Sequence, residues 1–276
     1  MGLYDQKHIQ DFYNEYGENE TERWDKSIIE KVKYLVHNHY LYKYILPGDQ
    51  VLELGAGTGM FTKELVGLAG SLMVTDLSPV QLDLNKKRAE EDNYKGKIED
   101  FRIIDICDLS TFEDDQFDKV VCYGGPLSYV FERNADALSE IYRVLKPGGI
   151  ALVSVMNLWG SFNRSMHSIM SEISKEDNEK VLTTGNLHPT AFTNSNHHCH
   201  IYKSEEFRTI LESANFEILE LSASNCLSVR RAAELEDMQH DKAKWEYFID
   251  LEIRACKSPG LVESGTHIIA IIERTI

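Results

Sequence analysis

Apolar residues in the first half of the chain follow two alternating periods. From about residue 24 they recur at helical spacing (Ile28, Ile29, Val32, Leu35, Val36), which predicts a helix that leads up to Pro47. Short apolar runs separated mostly by helical patterns then predict strands at residues 51–54, 71–75, 101–104, 119–123 and 150–156. This order predicts an α/β fold with a parallel sheet, whose ligands bind at the carboxyl ends of the strands.

The pattern lapses after Met156 for about 45 residues and then resumes. A helix with Phe207, Ile210 and Leu211 on one face precedes a predicted strand near residues 216–222, a charged helical region near 234–256 and the apolar strand HIIAII. Because residues 157–200 follow the fifth strand, we expect them to form a lid insertion at the edge of the site.

Composition limits the class of protein. No shift in composition divides the 276 residues, so we expect one domain, 1–276, with an N-terminal helical segment (1–46), a cofactor core (51–156), the lid (157–200) and the rest of the sheet (201–276). A formal net charge of -16 disfavours nucleic acid as a partner. No run approaches the roughly 20 apolar residues of a membrane span, and five scattered cysteines suit reduced thiols, so we expect a cytoplasmic protein.

The loop after the first predicted strand, in VLELGAGTGMF, is rich in glycine. Gly55, Gly57 and Gly59 let the backbone turn tightly and approach a ligand closely. The spacing differs from the dinucleotide pattern G-x-G-x-x-G, and Glu53 would repel a pyrophosphate. A ligand that carries an ammonium and a sulfonium would instead be attracted, which disfavours the alternative of a dinucleotide-dependent oxidoreductase.

Further signals follow the later strands in order. Asp76 ends the second strand and can accept hydrogen bonds from both ribose hydroxyls, whereas Ser78 suits the cap of the next helix. Asp105 ends the third strand, where a carboxylate can bind an adenine amino group. The fourth strand ends in Gly124-Gly125-Pro126, and the turn KPGG leads into the fifth.

Taken together, residues 51–156 resemble a class I S-adenosylmethionine-dependent methyltransferase. The resemblance implies a Rossmann-like, doubly wound, seven-stranded and mostly parallel sheet with an antiparallel last strand, and S-adenosyl-L-methionine as cofactor. It places Glu53 and the glycines around the methionine moiety, Asp76 at the ribose, Asp105 with Ile106 at the adenine, and Tyr123 with Gly124 at the methyl-transfer pocket. The cofactor contacts implied are Glu53, Gly55, Ala56, Gly57, Thr58, Gly59, Asp76, Leu77, Asp105, Ile106, Tyr123, Gly124, Tyr16 and Arg23.

The amino-terminal stretch DFYNEYGENETERWD is similar to the segment that folds over the cofactor in many bacterial small-molecule methyltransferases. By that analogy Tyr13, Tyr16 and Arg23 close the pocket. The start of an amphipathic surface helix explains the stretch equally well, so both interpretations stay open.

The segment NHHCHIY places three imidazoles and a thiol within four positions. In an extended chain His198 and His200 share one face and His197 and Cys199 the other, so no single face offers the three or four ligands of a zinc site. A metal would require distant partners such as His188 or Asp241, so we expect none. We take His198 and His200 as candidate catalytic bases, against the alternative of structural or solvated histidines.

Four residues are candidates for the acceptor pocket, and packing in the protein core is the alternative role for the apolar ones. They are Tyr129, Trp159, Met166 and His197.

The resulting hypothesis is methyl transfer from S-adenosylmethionine to nitrogen or oxygen of a small-molecule substrate. A methyltransferase that acts on RNA or protein, and a non-catalytic protein that binds S-adenosylmethionine, are the remaining alternatives. The sequence does not determine the acceptor or the oligomeric state.

Overall fold

A computed structural model describes residues 2–25, 27–189 and 197–275, without the side chains of Arg23 and Asp25. A seven-stranded sheet forms its centre, with strand order β3-β2-β1-β4-β5-β9-β8, and β6 pairs with β7 in a separate ribbon. The strands are β1 (Gln50–Leu54), β2 (Ser71–Asp76), β3 (Ile98–Ile103), β4 (Phe117–Cys122), β5 (Leu145–Met156), β6 (Asn186–Leu187), β7 (Cys199–His200), β8 (Phe216–Ala223) and β9 (His267–Arg274).

Helices fill the connections between the strands. They are α1 (Gln6–Tyr16), α2 (Asn19–Asp25), α3 (Ile28–Tyr44), α4 (Thr62–Leu68), α5 (Pro79–Glu91), α6 (Pro126–Tyr129), α7 (Asn134–Val144), α8 (Leu158–Glu172), α9 (Lys175–Thr184), α10 (Ser204–Ser213), α11 (Ala232–Met238) and α12 (Lys242–Cys256). Short 3-10 turns cover Lys95–Lys97, Phe131–Arg133 and Val262–Ser264.

The direction of the strands confirms the predicted fold class. Strands β1 to β5 pair in parallel, whereas β9 runs antiparallel to both β5 and β8. Strand order reverses between β1 and β4, so their carboxyl ends form the crevice where such sheets bind ligands.

Alternation along the strands divides the core between the two faces of the sheet. In β1, Leu52 and Leu54 join one buried cluster with α7 and α10, whereas Val51 joins the other with α3 and α4. Val120 and Val121 of β4 divide in the same way. Covered on both faces, these strands carry the continuous apolar runs that identified them in the sequence.

The segment after β5 differs from the patternless insertion that the sequence suggested. Its described part contains two helices, α8 and α9, and the ribbon of β6 and β7. Asn157 caps α8 by accepting a hydrogen bond from the Trp159 amide at 3.2 Å, and Ser174 caps α9. Helix α8 buries only Leu158 and Gly160, and α9 buries only Val181, so both helices lie largely at the surface.

No helix within the described ranges combines the length and the apolar character needed to cross a bilayer.

Candidate active site

A cavity of about 530 Å³ opens at the carboxyl ends of β1, β2 and β4 and lies beneath α1. This volume falls within the range of small-molecule sites. It collects most of the predicted site residues, although they are far apart in the chain. Those that line it are Gly55, Ala56, Gly57, Thr58, Asp76, Leu77, Asp105, Ile106, Tyr123, Gly124, Tyr16, Tyr129 and His197.

The glycine-rich loop adopts a backbone that other residues rarely tolerate. Gly55, Gly57 and Gly59 have φ angles of +67°, +54° and +89°. A Cβ atom on Gly55 would lie 2.4 Å from Pro126 Cγ, and one on Gly59 would lie 2.5 Å from Asn85 Oδ1. Gly59 therefore allows the loop to pack against α5, and it does not line the cavity as predicted.

Glu53 lies behind this loop, and not at the cavity wall where the resemblance implied it. Its Oε2 accepts a hydrogen bond from Thr62 Oγ1 at 2.6 Å, and Asn85 Nδ2 donates to the same hydroxyl at 2.9 Å. Burial raises the pKa of Glu53 to about 8. With this pKa, the carboxyl group of Glu53 is mostly neutral at pH 7, and it supports the loop from beneath. The sequence motif alone could not distinguish this supporting role from direct contact with a ligand.

The side chain of Asp76, at the end of β2, binds the loop that follows β1. Its Oδ2 accepts from the Gly57 amide and its Oδ1 from the Ser78 amide, both at 2.8 Å. Burial raises its pKa to about 6, against the opposing effect of these amides. Ser78 Oγ accepts from the Gln81 amide at 3.1 Å, so Ser78 caps α5 and leaves Asp76 facing the cavity.

Asp105 follows β3 and also faces the cavity. Its Oδ1 accepts from the Cys107 amide at 2.9 Å, and its Oδ2 accepts from the Tyr4 hydroxyl at 2.6 Å. Burial, together with the bond to Asp105, raises the pKa of Tyr4 far above its usual range. The amino-terminal segment thus fixes the orientation of the third predicted carboxylate.

Three buried polar atoms in the cavity wall have no hydrogen-bond partner among the described residues. They are Thr58 Oγ1, Gln81 Oε1 and the Tyr123 hydroxyl. A buried polar atom without a partner costs about 1–3 kcal/mol, which a polar ligand can recover. With Asp76 and Asp105, these atoms fit a ligand that has several hydroxyl and amino groups, as S-adenosylmethionine does.

Helix α1 covers this wall and is attached to it by side chains. Gln10 Nε2 donates to the Leu77 carbonyl at 2.9 Å, and Ser78 Oγ donates to Asn14 Oδ1 at 2.7 Å. Gln81 Nε2 donates to the carbonyls of Tyr13 and Gly17, each at 3.0 Å. Tyr13 and Tyr16 consequently line the cavity, which favours the pocket-closing interpretation. The side chain of Arg23, predicted to close it with them, lies outside the described residues.

Three residues of the cavity form a hydrogen-bonded chain. The Tyr13 hydroxyl donates to the Tyr129 hydroxyl, which lies 2.8 Å from His197 Nε2. In the tautomer of His197 that carries its proton on Nδ1, the Tyr129 hydroxyl donates to Nε2. The ring of Phe12 stacks on that imidazole at 5.5 Å between ring centres.

The two histidines that we expected to be catalytic do not line the cavity. The ring of His198 stacks on that of His8, with centres 3.8 Å apart. His200 Nδ1 contacts Asn186 Oδ1 at 2.7 Å and its Nε2 contacts Glu206 Oε1 at 2.8 Å. The expected alternation of faces is present, but the face with His197 and buried Cys199 is the inner one.

Trp159 and Met166 also lie away from the cavity, with 47% and 44% of their surface exposed. Helix α8 instead directs Ser161, Arg164 and Ser165 to the cavity. At about 100° per residue, Trp159 lies roughly 160° around the helix from Ser161. Met166 follows Ser165, whose backbone is not helical (φ -104°, ψ 17°). The helix was placed near the site correctly, but the apolar residues were assigned to the wrong face.

Within the described residues, one group of three has metal-ligand atoms within 4.8 Å of one another, namely Cys226, Glu252 and Cys256. Glu252 accepts hydrogen bonds from the amides of Cys226 and Leu227, at 2.8 and 2.9 Å, and from the Ser228 hydroxyl at 2.6 Å. Its carboxylate thus serves to hold the loop that follows β8.

Several cavity residues carried no recognisable signal in the sequence. His267 begins β9 and Thr266 directly precedes it, whereas Ser161 and Arg164 lie one turn apart on α8. An antiparallel last strand places its first residues beside the carboxyl ends of its parallel neighbours. The pairing of β9 with β5 therefore explains why Thr266 and His267 reach the cavity. For His197, the apolar residues Cys199 and Ile201 at alternate positions identify the inner face.

Comparison with known proteins identifies the domain. The profile of a family described as a methyltransferase domain matches residues 51–149. The ubiquinone/menaquinone biosynthesis C-methyltransferase UbiE of Hydrogenovibrio crunogenus is 36% identical over 112 residues, which are 40% of this chain and 42% of that protein. A demethylmenaquinone methyltransferase of Clavibacter sepedonicus is 35% identical over 37% of this chain and 39% of its own length. The chain thus spans about half, or less, of these curated relatives.

Solved structures share the fold over nearly the whole chain. A putative methyltransferase of Haloferax volcanii, in complex with the Trm112 activator, has a TM-score of 0.61 at 19% identity and covers 97% of this chain and 98% of that one. The [4+2]-cyclase SpnF has a TM-score of 0.55 at 20% identity, with 87% and 81% covered. A fold that a cyclase shares does not by itself establish methyl transfer.

The domain match, however, coincides with the loops that carry Gly55, Gly57, Asp76 and Asp105. The matched residues therefore include the loops on which the predicted enzyme class and cofactor depend. Residues 51–149 are a methyltransferase domain, and the chain has the class I S-adenosylmethionine-dependent methyltransferase fold.

Proposed function

We propose that this protein transfers a methyl group from S-adenosylmethionine to nitrogen or oxygen of a small molecule. One observation carries the proposal: a single cavity of about 530 Å³ contains the strand-end carboxylates, the glycine loop and a hydrogen-bonded histidine. Methyl transfer requires contacts to the cofactor, and a group able to accept a proton can accelerate methylation of a hydroxyl or an ammonium.

The residues that would hold the cofactor come from three strand ends. Asp76 would bind the ribose hydroxyls, Asp105 and Ile106 the adenine, and Gly55 and Gly57 the methionine moiety. When bound, S-adenosylmethionine supplies a methyl group on a positively charged sulfur. The carboxylates at this end of the cavity suit the positive charge of the ligand.

The chain of Tyr13, Tyr129 and His197 is the proposed path for the proton. A proton from the acceptor would pass to the Tyr13 oxygen, the Tyr13 proton to Tyr129, and the Tyr129 proton to His197 Nε2. Each oxygen gains one proton and loses one, so the net result is a methylated acceptor that has lost one proton, and an imidazolium. Both neighbouring distances fit direct transfer, which makes His197 a better candidate than His198 or His200.

A carbon acceptor is the second candidate. The 36% identical relative is a C-methyltransferase by name, and a carbon nucleophile must also lose a proton before or after methylation. The cavity itself does not distinguish the acceptor atom.

A small-molecule substrate suits the site better than RNA or protein. Helix α1 covers the cavity through bonds from Gln10, Ser78 and Gln81, which leaves little room for a macromolecular chain. The net charge of -16 also disfavours a nucleic acid. A single domain over residues 1–276 and a cytoplasmic location remain part of the proposal.

Transfer of a tritiated methyl group to a cell extract divided by molecular size tests this function. We expect radioactivity to appear in the fraction of small molecules. Label in the protein or RNA fraction would favour the macromolecular alternative, and binding of the cofactor without any transfer would favour a non-catalytic protein. Analysis of the labelled product then identifies the methylated atom.

A further inference from the structure

Beyond the cofactor loops, the cavity has a second polar wall that belongs to no predicted site. It consists of Ser161, Arg164 and Ser165 from α8, His267 at the start of β9, and Thr266, which directly precedes that strand. We call this group the α8–β9 wall. It contains a guanidinium, an imidazole and three hydroxyl groups, and no carboxylate.

These residues are brought together by close packing of the backbone. His267 pairs with Met156 at the end of β5, and the Asn157 amide donates to the Thr266 carbonyl at 3.0 Å. Gly160 contacts Gly265 so closely that a Cβ atom there would lie 1.7 Å from the Gly265 carbonyl oxygen. The first turn of α8 is therefore fixed against the start of β9, and Arg164 follows one turn later.

Arg164 has donors available for a ligand. Its Nη1 lies 3.4 Å from Glu30 Oε1, and no hydrogen bond joins Arg164 to another described residue. Lys33 Nζ binds the other oxygen of that carboxylate at 2.8 Å, where both partners are buried. A guanidinium has five N–H groups and typically binds a carboxylate through two of them at about 2.7–2.9 Å, so this long contact leaves most of its capacity unused.

The charges in the cavity are unevenly distributed. Glu20, Asp76 and Asp105 line its wall on the side of the cofactor loops, whereas Arg164 and His267 belong to the α8–β9 wall. Apolar side chains, among them Phe61 and Met156, line the same cavity. Such a site complements a ligand with an apolar body and an anionic group.

We propose that the methyl acceptor carries a carboxylate, which Arg164 binds together with the hydroxyls of Ser161, Ser165 and Thr266. This inference rests on the proposed methyltransferase function and specifies its substrate class. The methionine moiety of the cofactor also bears a carboxylate. Arg164 therefore has two candidate ligands, the carboxylate of the acceptor and that of the cofactor. The experiment must therefore separate cofactor binding from acceptor binding.

Calorimetry with S-adenosylhomocysteine forms the first arm. We expect the Arg164→Gln variant to bind it within about threefold of the unchanged protein, because Arg164 serves the acceptor. The matched control is Arg208→Gln, since Arg208 lies on α10, pairs with Glu212 and does not line the cavity. A loss of tenfold or more in Arg164→Gln alone would assign the guanidinium to the cofactor and overturn the proposal.

The second arm measures an acceptor-like probe on protein saturated with S-adenosylhomocysteine. Benzoate is the probe and benzamide is its neutral counterpart, and their affinities are measured by ligand-observed NMR. We expect benzoate to bind at least tenfold more tightly than benzamide, and Arg164→Gln to abolish that preference. Arg164→Lys, which keeps the charge without the planar fork, should retain part of it.

Equal binding of benzoate and benzamide, or a preference unchanged in Arg164→Gln, would contradict the carboxylate site. If the unchanged protein fails to bind S-adenosylhomocysteine at all, the proposed function itself fails. A thermal melt of each variant shows whether it folds, and Arg164→Lys provides the comparison if Arg164→Gln does not.

Discussion

The hydroxyl oxygen of Tyr129 lies 2.8 Å from Nε2 of His197 and accepts a hydrogen bond from Tyr13. The three residues come from α6, the segment before β7, and α1. The helix that covers the cofactor site therefore contacts the proposed proton path directly. The same helix thus covers the cavity and supplies Tyr13 to that path.

Replacement of His197 by alanine should reduce turnover far more than replacement of His200. Loss of His197 removes the final proton acceptor, and general-base removal typically costs about 10²–10⁴-fold in rate. His200 contacts Asn186 and Glu206 outside the cavity, so His200→Ala should lower thermal stability and keep most of the activity. Methyl transfer to the small-molecule fraction and thermal melts measure the two effects.

The opposite result, with His200→Ala inactive and stable while His197→Ala stays active, would refute the assignment of the base. Affinity for S-adenosylhomocysteine serves as the control, since neither variant should change it more than a few-fold.

Tyr129→Phe should interrupt the proton path while preserving the aromatic packing. The substitution removes the hydroxyl that joins Tyr13 to His197, so we expect turnover to fall by about tenfold or more, with the pH profile shifted to higher pH. Tyr142→Phe is the matched control, because its hydroxyl contacts Thr275 away from the cavity. Equal activity of the two variants across pH 6–9 would exclude a role for Tyr129 in proton transfer.

The raised pKa of Glu53 predicts that the free energy of unfolding depends on pH. Burial raises its pKa from the ordinary value of 4.5 to about 8, so the folded state holds a proton that the unfolded chain releases above about pH 4.5. The free energy of unfolding therefore falls as pH rises from about 4.5 to 8 and is independent of this group above pH 8. The slope is on the order of 1 kcal/mol per pH unit.

Glu53→Gln lacks this titration and is the appropriate reference. Urea unfolding of both proteins at pH 5 to 9 should show the stability of the natural protein decreasing relative to the variant up to pH 8. A difference that is constant with pH would mean that Glu53 is ionised in the fold.

Asp76 should make cofactor affinity sensitive to mild acid. Its pKa is raised to about 6, so a protonated carboxyl group replaces the carboxylate below pH 6 and accepts fewer hydrogen bonds from the ribose. We expect the affinity for S-adenosylhomocysteine to fall by about threefold to tenfold between pH 7.5 and pH 5.5. In Asp76→Asn the affinity should be weaker and vary little over this interval, and a parallel decline in both proteins would point to another group.

Gly160→Ala should destabilise the protein strongly, because the new methyl group would overlap the Gly265 carbonyl. We expect a loss of about 3 kcal/mol or more in the free energy of unfolding, measured in urea. Gly67, on α4, has no atom within 4 Å of an added Cβ, so Gly67→Ala should be neutral or stabilise by up to about 1 kcal/mol. Similar stabilities for the two variants would show that α8 is not fixed against β9.

The sequence predicted which strand ends meet at the cavity because their signals are local. Each strand end carries its own glycine or carboxylate next to an apolar run, so the ends of β1, β2 and β3 were found within one or two residues. The strand order β3-β2-β1-β4-β5 then brings Gly55, Asp76 and Asp105 to one cavity.

The acceptor half was predicted poorly because it depends on the orientation of exposed helices. Nothing in the sequence shows that Ser161 and Arg164, and not Trp159 and Met166, face the cavity. Helix α8 has solvent on one side and contributes to the polar α8–β9 wall on the other. For the histidines, period-2 alternation was correct, but the inner face was not the one with His198 and His200. The burial of Cys199 shows that the inner face is the one with His197 and Cys199.

Titration of S-adenosylhomocysteine into the protein by calorimetry tests the central claim most directly. The cavity with Asp76, Asp105 and the glycine loop should bind one equivalent, and Asp76→Ala should weaken the affinity by at least tenfold, with the fold checked by circular dichroism. Absence of binding to the correctly folded, unchanged protein would contradict the account.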